Sequence, residues 1–192
     1  MYYYRARFYD PRTGRFLTQD PIGFLGGINL YAYVKNNPVG WLDPFGLEIV
    51  VQGNQRAYWQ ALAYLWRDPG MRQIITDLTV SNTKYTVITN NAHDDYYLPS
   101  KREIHWDPTS ALRCPRGQGS QTPALGLGHE MAHANASWYE RLYGWLPSGQ
   151  YGNLEEKRVI TGVETDAAGT LGEDIRTSHS GIPFRVLTPT SR

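Results

Sequence analysis

Two histidines four residues apart flank a glutamate in the run His129-Glu130-Met131-Ala132-His133. On an α-helix, positions i and i+4 share one face, so both imidazoles can hold a single metal ion. Glu130 projects about a third of a turn away, where it can act on a water at that metal. Zn²⁺ accepts such nitrogen donors and leaves a position for water in its catalytic sites. The chemistry within reach is hydrolysis, with a Lewis acid on a carbonyl and a carboxylate as base.

The preceding residues indicate what carries the motif. Thr122 suits an N-cap, and Pro123 suits the first helical position, where its missing N–H costs nothing. A helix from Pro123 to about Ala136 is expected. Its other positions are mostly Ala, Leu, Met and Gly, so the helix should be buried. Gly126 and Gly128 inside it imply that another backbone packs closely there. Buried imidazoles and a buried carboxylate need a polar partner, which a metal ion provides.

The chain has 192 residues, room for one domain or a domain with an appendage. Its 41% hydrophobic content supports a core. A formal net charge of +1 gives no electrostatic case for nucleic acid or an anionic membrane, and neither is expected as a partner. No apolar run approaches the ~18 residues of a membrane span. The opening residues, Met1 to Phe8, lack the apolar stretch of a signal peptide, so no cleaved leader is expected in this chain. The single cysteine, Cys114, excludes an internal disulfide framework and a Cys-based structural zinc site. Its thiolate is also a candidate for the open metal position, as a latency device.

Composition changes near residue 47. The first stretch is aromatic and is punctuated by turn signals: Asp10-Pro11-Arg12-Thr13-Gly14, Asp20-Pro21, Gly26-Gly27, Asn36-Asn37-Pro38 and Asp43-Pro44-Phe45-Gly46. Short strands between such turns read as a β-meander or repeat fragment. Tyr3-Tyr4-Arg5-Ala6-Arg7-Phe8-Tyr9-Asp10-Pro11, Gly14-Arg15-Phe16, Asn29-Leu30-Tyr31-Ala32-Tyr33 and the Asp43 to Leu47 motif carry a family likeness. From Tyr2 to Leu47 the chain closely resembles the C-terminal end of the core domain of Rhs/YD-repeat proteins. The resemblance implies a β-shell that encloses a variable C-terminal toxin and cuts itself free after the leucine. Here that cut falls between Leu47 and Glu48, with Asp20 and Asp43 as the implicated aspartates. An aspartate before proline is also an ordinary turn residue. The class further implies delivery into a target cell by a specialised secretion system, and a cognate immunity protein.

Residues 48–192 are then the toxin domain. Strands are expected over 48–52, 84–89, 96–98 and 103–106. Asn54 should cap a helix through Trp66 that Asp68-Pro69-Gly70 ends. A Pro/Gly loop (114–120), the motif helix, a second turn region (144–152) and a long helix from about Leu154 follow. Strands before a metal-binding helix, then another helix, give an α+β, zincin-like fold. His105 lies beside one of these strands and reads as structural.

A catalytic zinc usually takes three protein ligands. Metzincin spacing would require glycine at 136 and histidine at 139, but Ala136 and Tyr139 stand there. The candidates for the third ligand are Glu140, Glu155, Glu156 and Glu164. The run Glu155-Glu156-Lys157-Arg158-Val159-Ile160-Thr161-Gly162 resembles a stretch of effector zinc peptidases injected by type III secretion systems, and of clostridial neurotoxin light chains. That resemblance implies Glu156 as the ligand and Glu155 as the carboxylate that steadies the site behind it, with Glu164 as an alternative. Two acids there would also complement a helix N-terminus. The same families hold the oxyanion with a downstream arginine and tyrosine. Arg176 and Arg185 are the candidate arginines. No tyrosine follows Tyr151, so Tyr143 or His179 must substitute.

The expected activity is a zinc-dependent endopeptidase acting on a target-cell protein. Strands 84–89 or 103–106 would bind substrate by edge addition. A zinc hydrolase of a non-protein amide, or a toxin acting by binding alone around a structural metal, are the alternatives.

Overall fold

The computed structural model describes residues 1–4, 7–19, 31, 49–81, 83–114 and 119–192. Asp20, Asp43, Leu47 and the turns around them lie outside the described residues. The chain divides into two compact units: residues 1–50 with 79–84, and residues 51–78 with 85–192.

In the first unit, β1 (Tyr2–Tyr4), β2 (Arg7–Asp10) and β3 (Arg15–Phe16) form an antiparallel sheet in that order. The β2–β3 turn is tied by Asp10, whose carboxylate accepts from the Arg12 backbone N–H at 3.0 Å. Gly14 closes it at φ +68°, a region open to glycine. Phe16 is fully buried and meets the Tyr9 ring edge-on.

The second unit mixes helices and sheets. β4 (Val50–Gln52) leads into α1 (Gln55–Leu65), where Asn54 accepts the Ala57 N–H at 3.0 Å. Asp68-Pro69-Gly70 does end α1, but it also starts α2 (Pro69–Val80). The Asp68 carboxylate accepts the Met71 N–H at 2.9 Å, with Pro69 at the first helical position. β5 (Thr86–Thr89), β6 (Tyr96–Leu98) and β7 (Glu103–Trp106) join β4 in a sheet of order β4-β5-β7-β6. β5 and β7 run parallel, and β6 is antiparallel to β7. β5 and β7 are therefore interior strands, and β6 is the edge on the motif-helix side; edge addition on 84–89 or 103–106 is ruled out. A second sheet, order β10-β8-β9, is built from β8 (Ser110–Arg113), β9 (Ser120–Gln121) and later β10 (Ile182–Arg185).

The motif helix, α3 (Pro123–Ala134), is capped by Thr122. The Thr122 hydroxyl donates to Glu173 while accepting the Leu125 N–H. The buried Trp106 indole donates to Pro123 O at 2.7 Å, and the Tyr85 hydroxyl donates to Ala134 O at 3.2 Å. Both ends of the helix are thereby fixed on the sheet side. The close approaches at its glycines come from side chains, not a backbone. A Cβ on Gly128 would lie 2.9 Å from the Met71 sulfur, and one on Gly126 would lie 2.8 Å from an Asp95 carboxylate oxygen.

After α4 (Trp138–Tyr143) and a 3₁₀ turn at Gly149–Tyr151, the expected long helix is broken into three parts. These are α5 (Leu154–Val159), a π-helical turn over Ile160–Glu164, and α6 (Thr165–Leu171). The break is at Gly162, at φ −106° and ψ −112°. Among the described residues, no helix is long and apolar enough to cross a membrane.

Candidate metal centre

α3 and α5 face each other, and their polar side chains converge. His129 Nε2 and His133 Nε2 lie 2.9 Å apart. Glu156 places Oε2 at 3.1 Å from the first and Oε1 at 3.4 Å from the second. Ligands 2.0–2.1 Å from a tetrahedral zinc stand roughly 3.3 Å from one another. The three donors match that spacing to within a few tenths of an ångström. His129, Glu130 and His133 also offer donor atoms within 4.8 Å of one another. Glu156 is nevertheless the better third ligand, because Glu130 comes only to 4.0 Å of His129 Nε2. Glu130 stands beside the donor triangle, in the place of a base.

Each imidazole is held from behind by a carboxylate. His129 Nδ1 lies 2.6 Å from Glu164 Oε2, and His133 Nδ1 lies 3.1 Å from Glu155 Oε1. With the proton on Nδ1 donated backwards, each Nε2 presents its lone pair to the metal position. Arg176 Nη2 also approaches His129 Nδ1 at 3.0 Å. Both atoms are donors in that tautomer, so the guanidinium's bonds go instead to Glu164, at 2.6 and 3.0 Å. Arg158 braces Glu155 in the same way, at 2.6 and 3.0 Å.

The π-helical turn explains how one imidazole is gripped at both nitrogens. In an unbroken helix, residues 156 and 164 would point about 80° apart. One inserted residue reduces this to roughly 20°, so both carboxylates face α3. Glu164 is thus the buried carboxylate behind His129, and Glu156 is the one in front.

The charges favour a cation. Glu130, Glu155, Glu156 and Glu164 stand against two guanidinium groups, leaving an excess of two negative charges for a divalent ion to balance. Without one, the histidines take protons. Burial opposes the charged form of His129, but hydrogen bonds to Glu156 and Glu164 outweigh it and lift the imidazole to about 10. His133 is raised too, against its own burial, by Glu155 and Glu156. Burial would raise Glu164, but His129 and Arg176 bring it down to about 2. Glu156 is also held low, its burial outweighed by both imidazoles. Glu130 moves the other way: burial lifts its carboxyl above the usual range, against the pull of the histidines. The donor set and its charge therefore fit Zn²⁺.

The remaining candidates separate clearly. His179 is exposed and sets Nε2 3.4 Å from Glu156 Oε2. Arg176 is at the site but committed to Glu164. Arg185 pairs with Asp107 at 3.3 Å. Tyr143 is exposed on α4, its ring 4.8 Å from that of Tyr139. Glu140 caps α4 through Ser137 and contacts Arg158, away from the donor triangle. His105 bonds Glu103 and stacks on Tyr96 at the sheet edge. Cys114 is buried, and burial with the nearby Asp174 charge pushes its thiol up to about 11.

Two cavities meet at the motif. One, about 240 Å³, is walled by α3, β8 and β10 and includes His129, Gln121 and Arg176. The other, about 600 Å³, opens between β6 and α4 and includes His133, Glu155 and Glu156. Asp95, Glu130 and His179 line both, whereas Tyr143 and Arg185 line neither. Sequence reasoning missed Asp95; its only signal was a place just before the aromatic strand Tyr96–Leu98.

No family model matches the chain, and no solved structure matches it. About a quarter of it matches known toxins. It is 60% identical over 47 residues to double-stranded DNA deaminase toxin A of Burkholderia cenocepacia (strain H111), covering 24% of this chain and 3% of that protein. It is 53% identical over 45 residues to the probable deoxyribonuclease RhsA of Dickeya dadantii (strain 3937), covering 23% and 3%. To the toxin protein Tse5 of Pseudomonas aeruginosa PAO1 it is 51% identical over 49 residues, covering 26% and 4%. The matched stretches amount to 3 to 5% of the length of such toxins, and to 20% of the putative uncharacterized protein YlbH of Escherichia coli (strain K12). They support an Rhs-associated toxin end for this part of the chain. They also correct one expectation: a near-neutral net charge does not exclude nucleic acid, because two of these relatives are named for action on DNA.

Proposed function

We propose that residues 48–192 form a zinc-dependent endopeptidase of zincin-like fold, the toxin end of an Rhs-type protein, acting on a protein of the cell that receives it. The observation that carries this reading is the triangle of His129, His133 and Glu156 donors with Glu130 at its side. His129, His133 and Glu156 would hold Zn²⁺. A bound zinc supplies Lewis acidity, lowering the pKa of water from about 15.7 towards about 7 and polarising a carbonyl. Glu130 takes the proton of the attacking water as the C–O bond forms. It returns that proton to the leaving nitrogen as the C–N bond breaks. With Arg176 committed to Glu164, His179, which lines both cavities and sets Nε2 3.4 Å from Glu156 Oε2, is the candidate donor to the developing oxyanion. The edge strand β6 offers its open side to an extended peptide. An immunity protein would act by covering this cleft.

The test is Glu130→Gln in the zinc-loaded chain, assayed on a proteome-derived peptide library. Zinc should remain while cleavage falls by about 10²-fold or more. Retained zinc with full cleavage would contradict the mechanism. A second reading takes DNA as the target, favoured by the names of two relatives. The same pair of proteins incubated with double-stranded DNA separates the two: a Glu130-dependent change in the DNA, with no peptide cleaved, would favour it.

A further inference from the structure

We infer that Asp95 forms a subsite for a basic side chain, lysine or arginine, next to the bond that is cut. The inference rests on the peptidase reading. Asp95 sits where the two cavities join, opposite the motif helix. Its Oδ1 accepts the Asp107 N–H at 2.7 Å. Its Oδ2 receives no hydrogen bond among the described residues and lies over Gly126, 2.8 Å from where a Cβ would stand. Gly126 is one turn before Glu130 on the same face, so the free oxygen is directed to the line a substrate must take past the base. Any side chain at position 126 would occupy that place.

Among its lining residues the smaller cavity offers this carboxylate no free guanidinium or ammonium. Its one guanidinium, Arg176, is spent on Glu164. Burial, with the neighbouring charges of Glu130, Asp107 and Asp94, raises the Asp95 carboxyl to about 8. The group accepts positive charge readily, from a proton or from a substrate. The space of about 240 Å³ equals the liquid volume of roughly eight waters, room for one long side chain. A lysine or arginine would bring both the length and the charge. A neutral chain of similar length would strip water from the carboxyl and leave it unpaired. His93, at φ +57°, holds the preceding loop through its N–H to Asp107 and its ring to Ser110. The position of Asp95 is thus set before a ligand arrives.

The test uses agmatine, a four-carbon chain with a guanidinium at one end and an ammonium at the other, titrated calorimetrically into the zinc-loaded Glu130→Gln chain and into the Glu130→Gln/Asp95→Asn double variant. Agmatine should bind the first about tenfold or more tighter than the second, with zinc content equal in both. In the active chain, the ratio of kcat/KM for lysine over norleucine peptides should fall towards one in Asp95→Asn. Equal agmatine binding by both variants, or none by either, would overturn the subsite. Agmatine selectivity without cleavage of any peptide would keep the subsite and reject the peptidase reading.

Discussion

The two histidines of the motif are steadied by matched groups at different depths. Behind His129 stand Glu164 and Arg176, with side chains 1% and 10% exposed. Behind His133 stand Glu155 and Arg158, at 19% and 32%. The chemistry is the same: imidazole N–H to carboxylate, carboxylate to guanidinium. The surroundings are not. Gln121 adds a further donor to Glu164 at 2.9 Å, whereas Glu155 lines the open cleft. The deep arm should therefore bear on folding and metal retention together, and the open arm mainly on the metal. One pair of residue types does two jobs, divided by access to water.

The largest expected difference is in stability. Glu164→Ala leaves the Arg176 guanidinium buried without its partner and should cost about 3–5 kcal/mol in urea unfolding. Glu155→Ala should cost about 1 kcal/mol or less. Similar costs for the two would dissolve the distinction. Metal affinity should divide less sharply. By competition with a chromogenic chelator, Glu164→Gln should weaken zinc binding about 100-fold and Glu155→Gln about 10-fold. The reverse order would mean that the open arm sets the imidazole that matters.

A pH-dependent effect is expected where the two cavities join, at Asp95. Its folded pKa, about 8, lies above the ordinary 3.8. The stability it contributes is then fully present below the unfolded value and is lost as pH rises through about 8. Relative to the native chain, Asp95→Asn should gain melting temperature between pH 5 and pH 9. A constant difference across that range would show that Asp95 keeps its ordinary pKa.

The sequence made some of this legible and hid the rest for physical reasons. Asn54 and Thr122 mark their helices because a side-chain cap is a local interaction. Asp68-Pro69-Gly70 reads as a helix stop, yet the same pair caps and opens α2, since Asp-Pro serves either role. The half-exposed strand β8 and the mostly exposed β10 carry no clean alternation, and their pairing of 110–113 with 182–185 spans too much sequence to be read locally. His129, Glu130 and His133 are visible from spacing alone. The choice between Glu156 and Glu164 is not, because it depends on a helix broken at Gly162. Arg176 could be flagged as a charge near the site, but its commitment to Glu164 appears only once α6 folds back. Asp95 gave no motif at all; its meaning comes from the missing Cβ of Gly126.

The most direct test of the metal centre is zinc content by native mass spectrometry of the full chain beside Glu156→Ala and Glu164→Ala. The metal centre should hold about one zinc per native chain, none in Glu156→Ala, and a reduced but measurable fraction in Glu164→Ala. A native chain that takes up no zinc after reconstitution, or Glu156→Ala retaining a full equivalent, would contradict it.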